Sequence, residues 1–194
     1  MSLCVIYGPV ASGKLTTAQA FAEQTGYKLF HNHLIQDILI DLFPYEKPEL
    51  KEQRVILSRK IRKDILSAVL EAQINVVITM TYGGPGGPDL LRYIVSEARK
   101  FHQDVYIVRL HPSREELDRR VVGESRKAYQ KADSPEILAR LLKGEGYGYE
   151  KFPDFEHLEI DNTSLSANET ASSIKNTTVY NRRHHVDRES FSVT

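Results

Sequence analysis

Residues 8–17, Gly8-Pro9-Val10-Ala11-Ser12-Gly13-Lys14-Leu15-Thr16-Thr17, carry the most chemically specific spacing in the chain. Gly-x4-Gly-Lys is what a backbone needs to curl around phosphate oxygens. Glycine permits turns that a side chain would block, and successive N–H groups then point inward. Lys14 adds a mobile positive charge, and a helix starting behind it offers its N-terminal dipole. The segment reads as a phosphate-binding loop in which Gly8, Ala11, Ser12, Gly13, Lys14, Leu15 and Thr16 hold the ligand. Leu15 stands where the usual pattern has a Ser or Thr that ligates Mg2+, which leaves Thr16 as a weak metal ligand acting through water.

Four further groups could do chemistry. His31-Asn32-His33 concentrates two imidazoles and a carboxamide at the expected start of a helix, where extra positive charge is disfavoured and neutral imidazoles can accept a proton. Asn32 also suits the N-cap itself. Asp37 lies four residues beyond His33 and Asp41 eight, so all three share one helix face, and a carboxylate there can take a hydroxyl proton. Arg54, Arg59 and Arg62 offer forked donors for an anion, and Arg62, at the edge of an apolar stripe, is the choice among them. Finally, Arg114, Arg119, Arg120, Arg126, Lys127 and Lys131 run through a polar stretch suited to a closing lid, with Arg119 and Arg126 as its phosphate contacts. The alternatives are, in turn, a capping Asn between two incidental histidines, solvated helix-surface acids, a surface ion pair and a solvated charge run.

The elements that must position these residues follow from periodicity. Leu3, Val5 and Ile6 read as a buried strand, and Leu15, Ala18 and Ala22 as a helix ended by Gly26. Residues 27–31 form a second short strand. A helix from near Asn32 then presents Leu34, Ile35, Ile38, Leu39 and Leu42 as one stripe, stopping at Pro44. The longest helix spans about Pro48 to Gln73, and Ile74 to Met80 is a buried strand. Residues 81–88, with four glycines and two prolines, are a loop. Asp89 to Phe101 is helical and Asp104 to Leu110 a strand. Ser113 with Glu116 forms a capping box, Ser134-Pro135 opens a short helix, Leu158 to Ile160 is a last strand, and Ser166 with Glu169 caps a last helix.

Strands alternating with helices imply an α/β fold, a parallel sheet covered on both faces. Ligands then bind beyond the carboxyl ends of the strands, where the phosphate loop and residues 31–33, 79–87, 111–114 and 161–163 gather. Residues 1–176 read as one domain with a lid at about 119–146, and 177–194 as a polar extension. The 26 basic and 26 acidic residues cancel, which argues against a broad nucleic-acid or membrane surface. The single cysteine, Cys4, sits in the first strand as a small apolar residue. The N-terminal residues enter a core strand with no signal-peptide pattern, so the expected location is cytoplasmic.

These residues resemble the P-loop small-molecule kinase group, which includes shikimate, gluconate and adenylate kinases. Gly13-Lys14-Leu15-Thr16 followed by residues 27–34 is similar to a bacterial family described as shikimate-kinase-like or AAA-family ATPases. The resemblance covers about residues 3–175. It implies a three-layer sandwich with five parallel strands in the order 2-3-1-4-5, ATP and Mg2+ as cofactors, and a monomer or homodimer. It also implies a small hydroxylated or phosphorylated acceptor held by His31, Asn32, His33 and Arg62. Lys14, His33, Asp37, Arg119 and Arg126 would be the catalytic set, and Asn162 would lie near the nucleotide base. Shikimate kinases carry Asp-x-Asp where His31-Asn32-His33 stands, which points away from shikimate itself. Adenylate kinases carry Gly-Lys-Gly-Thr, so a residue without a hydroxyl after the lysine is compatible with phosphoryl transfer. No acidic residue occurs between Ile74 and Gly87 to help hold a metal. The competing reading is an NTP-binding regulatory ATPase with no acceptor. A GTPase-type switch would need Asp-x-x-Gly after the third strand and Asn-Lys-x-Asp for guanine, and neither occurs.

Overall fold

The computed structural model describes residues 1–31, 33–81, 87–123, 134–143 and 151–177. Five parallel strands, β1 (Ser2–Tyr7), β2 (Lys28–Phe30), β3 (Val76–Met80), β4 (Asp104–Leu110) and β5 (Leu158–Ile160), form one sheet in the order β2-β3-β1-β4-β5. All six residues of β1 are buried, as expected of the middle strand. A strand covered on both faces cannot alternate apolar with polar, and that is why it reads as a continuous apolar run.

Helices α1 (Lys14–Thr25), α2 (His33–Leu42), α3 (Lys51–Glu71), α4 (Gly87–Lys100), α5 (Arg114–Val121) and α6 (Pro135–Lys143) alternate with the strands, and α7 covers residues 167–177. One face of the sheet, with Leu3, Val5, Val76 and Ile78, packs on Leu66 and Leu70 of α3 and on Leu91, Ile94 and Val95 of α4. The other, with Cys4, Ile6, Val77 and Val108, packs on Ala18 and Phe21 of α1 and on Ala171 and Ile174 of α7. This is the three-layer sandwich. Gly26 ends α1 in the left-handed region, φ 76°, with its N–H donating to the Ala22 carbonyl at 2.8 Å.

Four local expectations are corrected. The helix expected from Asp89 starts at Gly87, because Pro88 in a first turn gives up only an N–H that would have had no helical partner. Only Ile35 and Leu39 of the expected α2 stripe are buried. Leu34, Ile38 and Leu42 are exposed, as are Val55 and Ile56 of α3, since these ends project past the sheet that would cover them. Ser113 Oγ accepts from the Glu116 N–H at 3.2 Å, but the Glu116 carboxylate turns to Arg119 and Arg120 instead of closing the box. By contrast, Ser166 and Glu169 form both halves of theirs. Helix α7 also runs to residue 177, one past the expected domain end.

Candidate active site

The chain leaves β1 toward β2 and β3 and returns on the other side at β4, so the loop after Tyr7 emerges where the connections diverge. Ala11, φ 67°, and Gly13, φ 85°, both adopt the left-handed conformation that curls the loop. Gly8 is required by space: a Cβ there would lie 2.4 Å from the Leu110 carbonyl oxygen at the end of β4. Ser12 is fully buried and its N–H donates to the Pro9 carbonyl at 3.2 Å. Lys14 Nζ folds over the loop, donating to the carbonyls of Gly8 at 3.0 Å and Pro9 at 2.5 Å, and to Ser12 Oγ at 3.3 Å. Thr16 Oγ1 donates to the Gly13 carbonyl at 2.9 Å, and Leu15 beside it is half-buried.

Two side chains from the far side of the sheet clasp this loop. Asn162, buried just past β5, donates from Nδ2 to the Ser12 carbonyl at 2.9 Å. Its Oδ1 is buried and has no hydrogen-bond partner among the described residues. Arg120 of α5 donates to the carbonyls of Ser12 at 3.3 Å, Asn162 at 2.7 Å and Thr163 at 3.5 Å, while its Nε binds Glu116 Oε1 at 2.6 Å. Arg119, the expected phosphate contact, is not brought to the loop. It lies exposed on α5 in a two-toothed pair with Glu116, at 2.6 and 2.7 Å. The physical reason is helical phase. Arg120 is three residues, nearly one turn, from buried Leu117, whereas Arg119 is on the opposite side. The hydrogen bond from Arg119, reinforced by Arg120, holds the Glu116 carboxyl down at about 2. Leu117, Val121 and Leu138 of α6 pack on Ala11, so α5 and α6 buttress the loop from a third side. Arg126, Lys127 and Lys131 lie outside the described residues, as does most of the expected lid.

On the opposite side, the ring centroids of His31 and His33 are 6.1 Å apart at the entrance to α2. Asp37 and Asp41 are exposed on that helix, and Asn32 is outside the described residues. The buried line of α3 repeats every fourth residue: Leu70 and Leu66 over the sheet, then Ser58 and Arg54. Arg62 occupies the intervening position, and its Nε and Nη2 are buried without a hydrogen-bond partner among the described residues. Burial lowers its guanidinium to about 10. Arg54, a candidate left open by the sequence, has a structural role: it donates to the Phe43 carbonyl at 2.6 Å and the Pro44 carbonyl at 3.3 Å, and stacks on the Tyr45 ring at 4.3 Å. Gln36 Nε2 donates to Ser58 Oγ at 3.3 Å, joining α2 to α3.

No protein-family model matches the chain, and no curated protein matches it. Solved structures do. A putative kinase from Chloroflexus aurantiacus J-10-fl superposes with a TM-score of 0.66 at 16% identity, covering 92% of this chain and 96% of that one. A gluconokinase from Sinorhizobium meliloti 1021 gives 0.60 at 18% identity, over 95% and 97%. A shikimate kinase from Bacteroides thetaiotaomicron gives 0.56 at 18% identity, over 93% and 98%. The chain has the fold of the P-loop small-molecule kinases.

In this kinase fold the cations Lys14 and Arg120 both reach residues 8–16, which suits a chain of phosphates. For a metal the chain offers less. No group of three or more His, Cys, Asp or Glu able to hold an ion occurs among the described residues, and the Thr16 hydroxyl is the one candidate the sequence named in the loop. No helix among the described residues is long and apolar enough to cross a membrane.

The sequence reading placed Arg120 in the basic run without choosing it as a contact, and missed a half-buried relay beside the loop. His157 Nε2 meets the Phe152 carbonyl at 2.5 Å, so that nitrogen carries the proton. Nδ1 therefore accepts from the Tyr7 hydroxyl at 3.0 Å. Arg120 had a signal in its phase relative to Leu117. The relay had none, because 150 residues separate Tyr7 from His157.

Proposed function

We propose that the protein is an ATP-dependent phosphotransferase acting on a small hydroxylated or phosphorylated acceptor. The observation that carries this reading is the loop itself: left-handed Ala11 and Gly13, a glycine at 8 that space demands, and Lys14 folded over the Gly8 and Pro9 carbonyls. In an ATP complex Lys14 exchanges its carbonyl partners for phosphate oxygens, and the loop amides and α1 N-terminus bind the rest. Asn162, whose buried Oδ1 has no hydrogen-bond partner among the described residues, would accept from the exocyclic amine of the base. Thr16 would be the loop's own contact to Mg2+, acting through water, and the ion would supply charge neutralisation.

The acceptor enters from the α2 and α3 side. Its hydroxyl oxygen bonds to the γ-phosphorus, the bond to the β–γ bridging oxygen breaks, ADP leaves, and the hydroxyl proton passes to His33 or Asp37. Arg126 belongs to the lid in this scheme. Arg120, rather than Arg119, supports the phosphate loop from α5. The test is turnover: ATP hydrolysis by the full chain should rise many-fold with the right acceptor and be lost in Lys14→Ala. Undiminished turnover in that variant overturns the reading.

A further inference from the structure

Helix α2 poses a problem that the fold does not solve. Leu34, Ile38 and Leu42 are 45%, 59% and 67% exposed, yet a helix face turned to water ordinarily carries polar side chains. Projection past the sheet explains why nothing covers them, but not why all three are apolar.

Helical phase shows what they adjoin. The line His33, Asp37, Asp41 and the line Leu34, Ile38, Leu42 lie side by side and run the whole length of α2. At about 100° per residue, Asp37, Asp41, Leu34, Ile38 and Leu42 form one exposed arc of about 140°, acidic on one half and apolar on the other. Buried Ile35 and Leu39 bound its apolar half. Gln36, which meets Ser58 of α3, is about 160° round the helix from Ile38, so the stripe is on the flank turned from α3. The exposed Val55 and Ile56 of α3 belong to a separate surface.

The size of the stripe selects its occupant. Three side chains exposed to this extent offer on the order of 300 Å² of apolar surface, the scale of a functional patch on a monomer. A stable protein–protein interface needs about 800 Å² from each partner. A second copy of the chain would also bring Asp37 and Asp41 into the centre of its contact, where charged residues are depleted. The stripe is about 12 Å long from Leu34 to Leu42, a length that suits a hydrocarbon chain. We propose that the acceptor is amphipathic: its hydroxyl end meets His33 and Asp37, and its hydrocarbon portion lies along Leu34, Ile38 and Leu42. The proposal rests on the phosphotransferase reading above and narrows its substrate class to hydroxylated molecules with an apolar body.

The experiment is calorimetric titration of the full chain, with and without a saturating non-hydrolysable ATP analogue. The probes are methyl, hexyl and octyl β-glucosides, each kept below its micelle concentration. Octyl glucoside should bind roughly tenfold more tightly than hexyl, the effect of two further buried methylenes, and methyl glucoside should give no measurable binding. Ile38→Gln, a change at an exposed site to a good helix former, should reduce the gain from hexyl to octyl below about threefold. It should leave the affinity for the ATP analogue and the ligand-free melting temperature as in wild type. His33→Gln should weaken hexyl and octyl alike, since it touches only the hydroxyl end. Ile56→Gln, 56% exposed on α3, is the control and should leave the series unchanged. The proposal is overturned if no alkyl glucoside binds, if octyl binds no more tightly than hexyl, or if His33→Gln changes nothing. It is also overturned if Ile56→Gln matches Ile38→Gln, which would mean indiscriminate adsorption, or if ultracentrifugation finds a wild-type dimer that Ile38→Gln dissociates. Failure of the ATP analogue to bind, with the alkyl series intact, would instead remove the phosphotransferase reading.

Discussion

Arg119 and Arg120 are adjacent, identical in type and bonded to the same carboxylate, yet the structure assigns them different worth. Replacing each by methionine isolates the difference, since methionine keeps most of the apolar stem. The Arg120 side chain is 20% exposed and that of Arg119 is 74% exposed. Arg120→Met loses a well-formed charged bond, 2.7 Å to the Asn162 carbonyl, two longer ones to Ser12 and Thr163, and its 2.6 Å bond to Glu116, a carboxylate that Arg119 still binds. A charged hydrogen bond is worth about 1.5–3 kcal/mol, and the longer pair adds little, so the expected loss is about 2–3 kcal/mol. For a chain of this size that lowers the melting temperature by roughly 5–10 °C. Glu116 stays paired with Arg119, so no uncompensated charge enlarges the effect. Arg119→Met removes an exposed guanidinium from a carboxylate that Arg120 still binds, and should leave the urea midpoint unchanged within error. The assay is urea unfolding with unchanged slope, together with titration of an ATP analogue, whose affinity should fall in Arg120→Met alone as Ser12 and Asn162 lose their clasp. Equal effects of the two substitutions, or a larger one for Arg119→Met, would refute the assignment of Arg120 as the link between α5 and the loop.

Two other predictions concern the floor of the same loop. Gly8→Ala forces a Cβ against the Leu110 carbonyl, which belongs to a strand and cannot give way. The expected cost is about 2–3 kcal/mol of stability with loss of nucleotide binding, checked by thermal melting with and without an ATP analogue. His157 is held below its ordinary 6.5 chiefly by burial. The unfolded chain therefore takes up its proton first, and the stability contributed by the neutral ring is full above about pH 6.5 and declines as pH falls toward the lower folded value. Lys151, Glu159 and Arg109 also face this ring. Between pH 7.5 and 5.5 the wild-type urea midpoint should fall more than that of His157→Gln, and parallel declines would show that the Tyr7–His157–Phe152 relay is not the sensitive element.

Much of this protein was legible in the sequence because its signals are local. The phosphate loop, the strand before it and the Gly26 cap depend on which residues tolerate a left-handed backbone or a fully buried strand, and those are properties of the residues themselves. The same holds for β4, for the start of α6 at Ser134-Pro135, and for the capping box at Ser166 and Glu169. Alternating strands and helices implied the parallel sheet, and the order β2-β3-β1-β4-β5 followed from the family resemblance. What failed was phase and reach. The apolar residues of α2 and of the first turns of α3 could not reveal which of them project past the sheet, because burial there depends on where the covering layer ends. Only the assembled fold distinguished Arg120 from Arg119, brought Tyr7 to His157, and committed Arg54 to the end of α2. Among the described residues it also left Nε and Nη2 of Arg62 buried without a hydrogen-bond partner. A motif fixes how a backbone can bend, whereas the neighbours of a long side chain are set by elements far away in sequence.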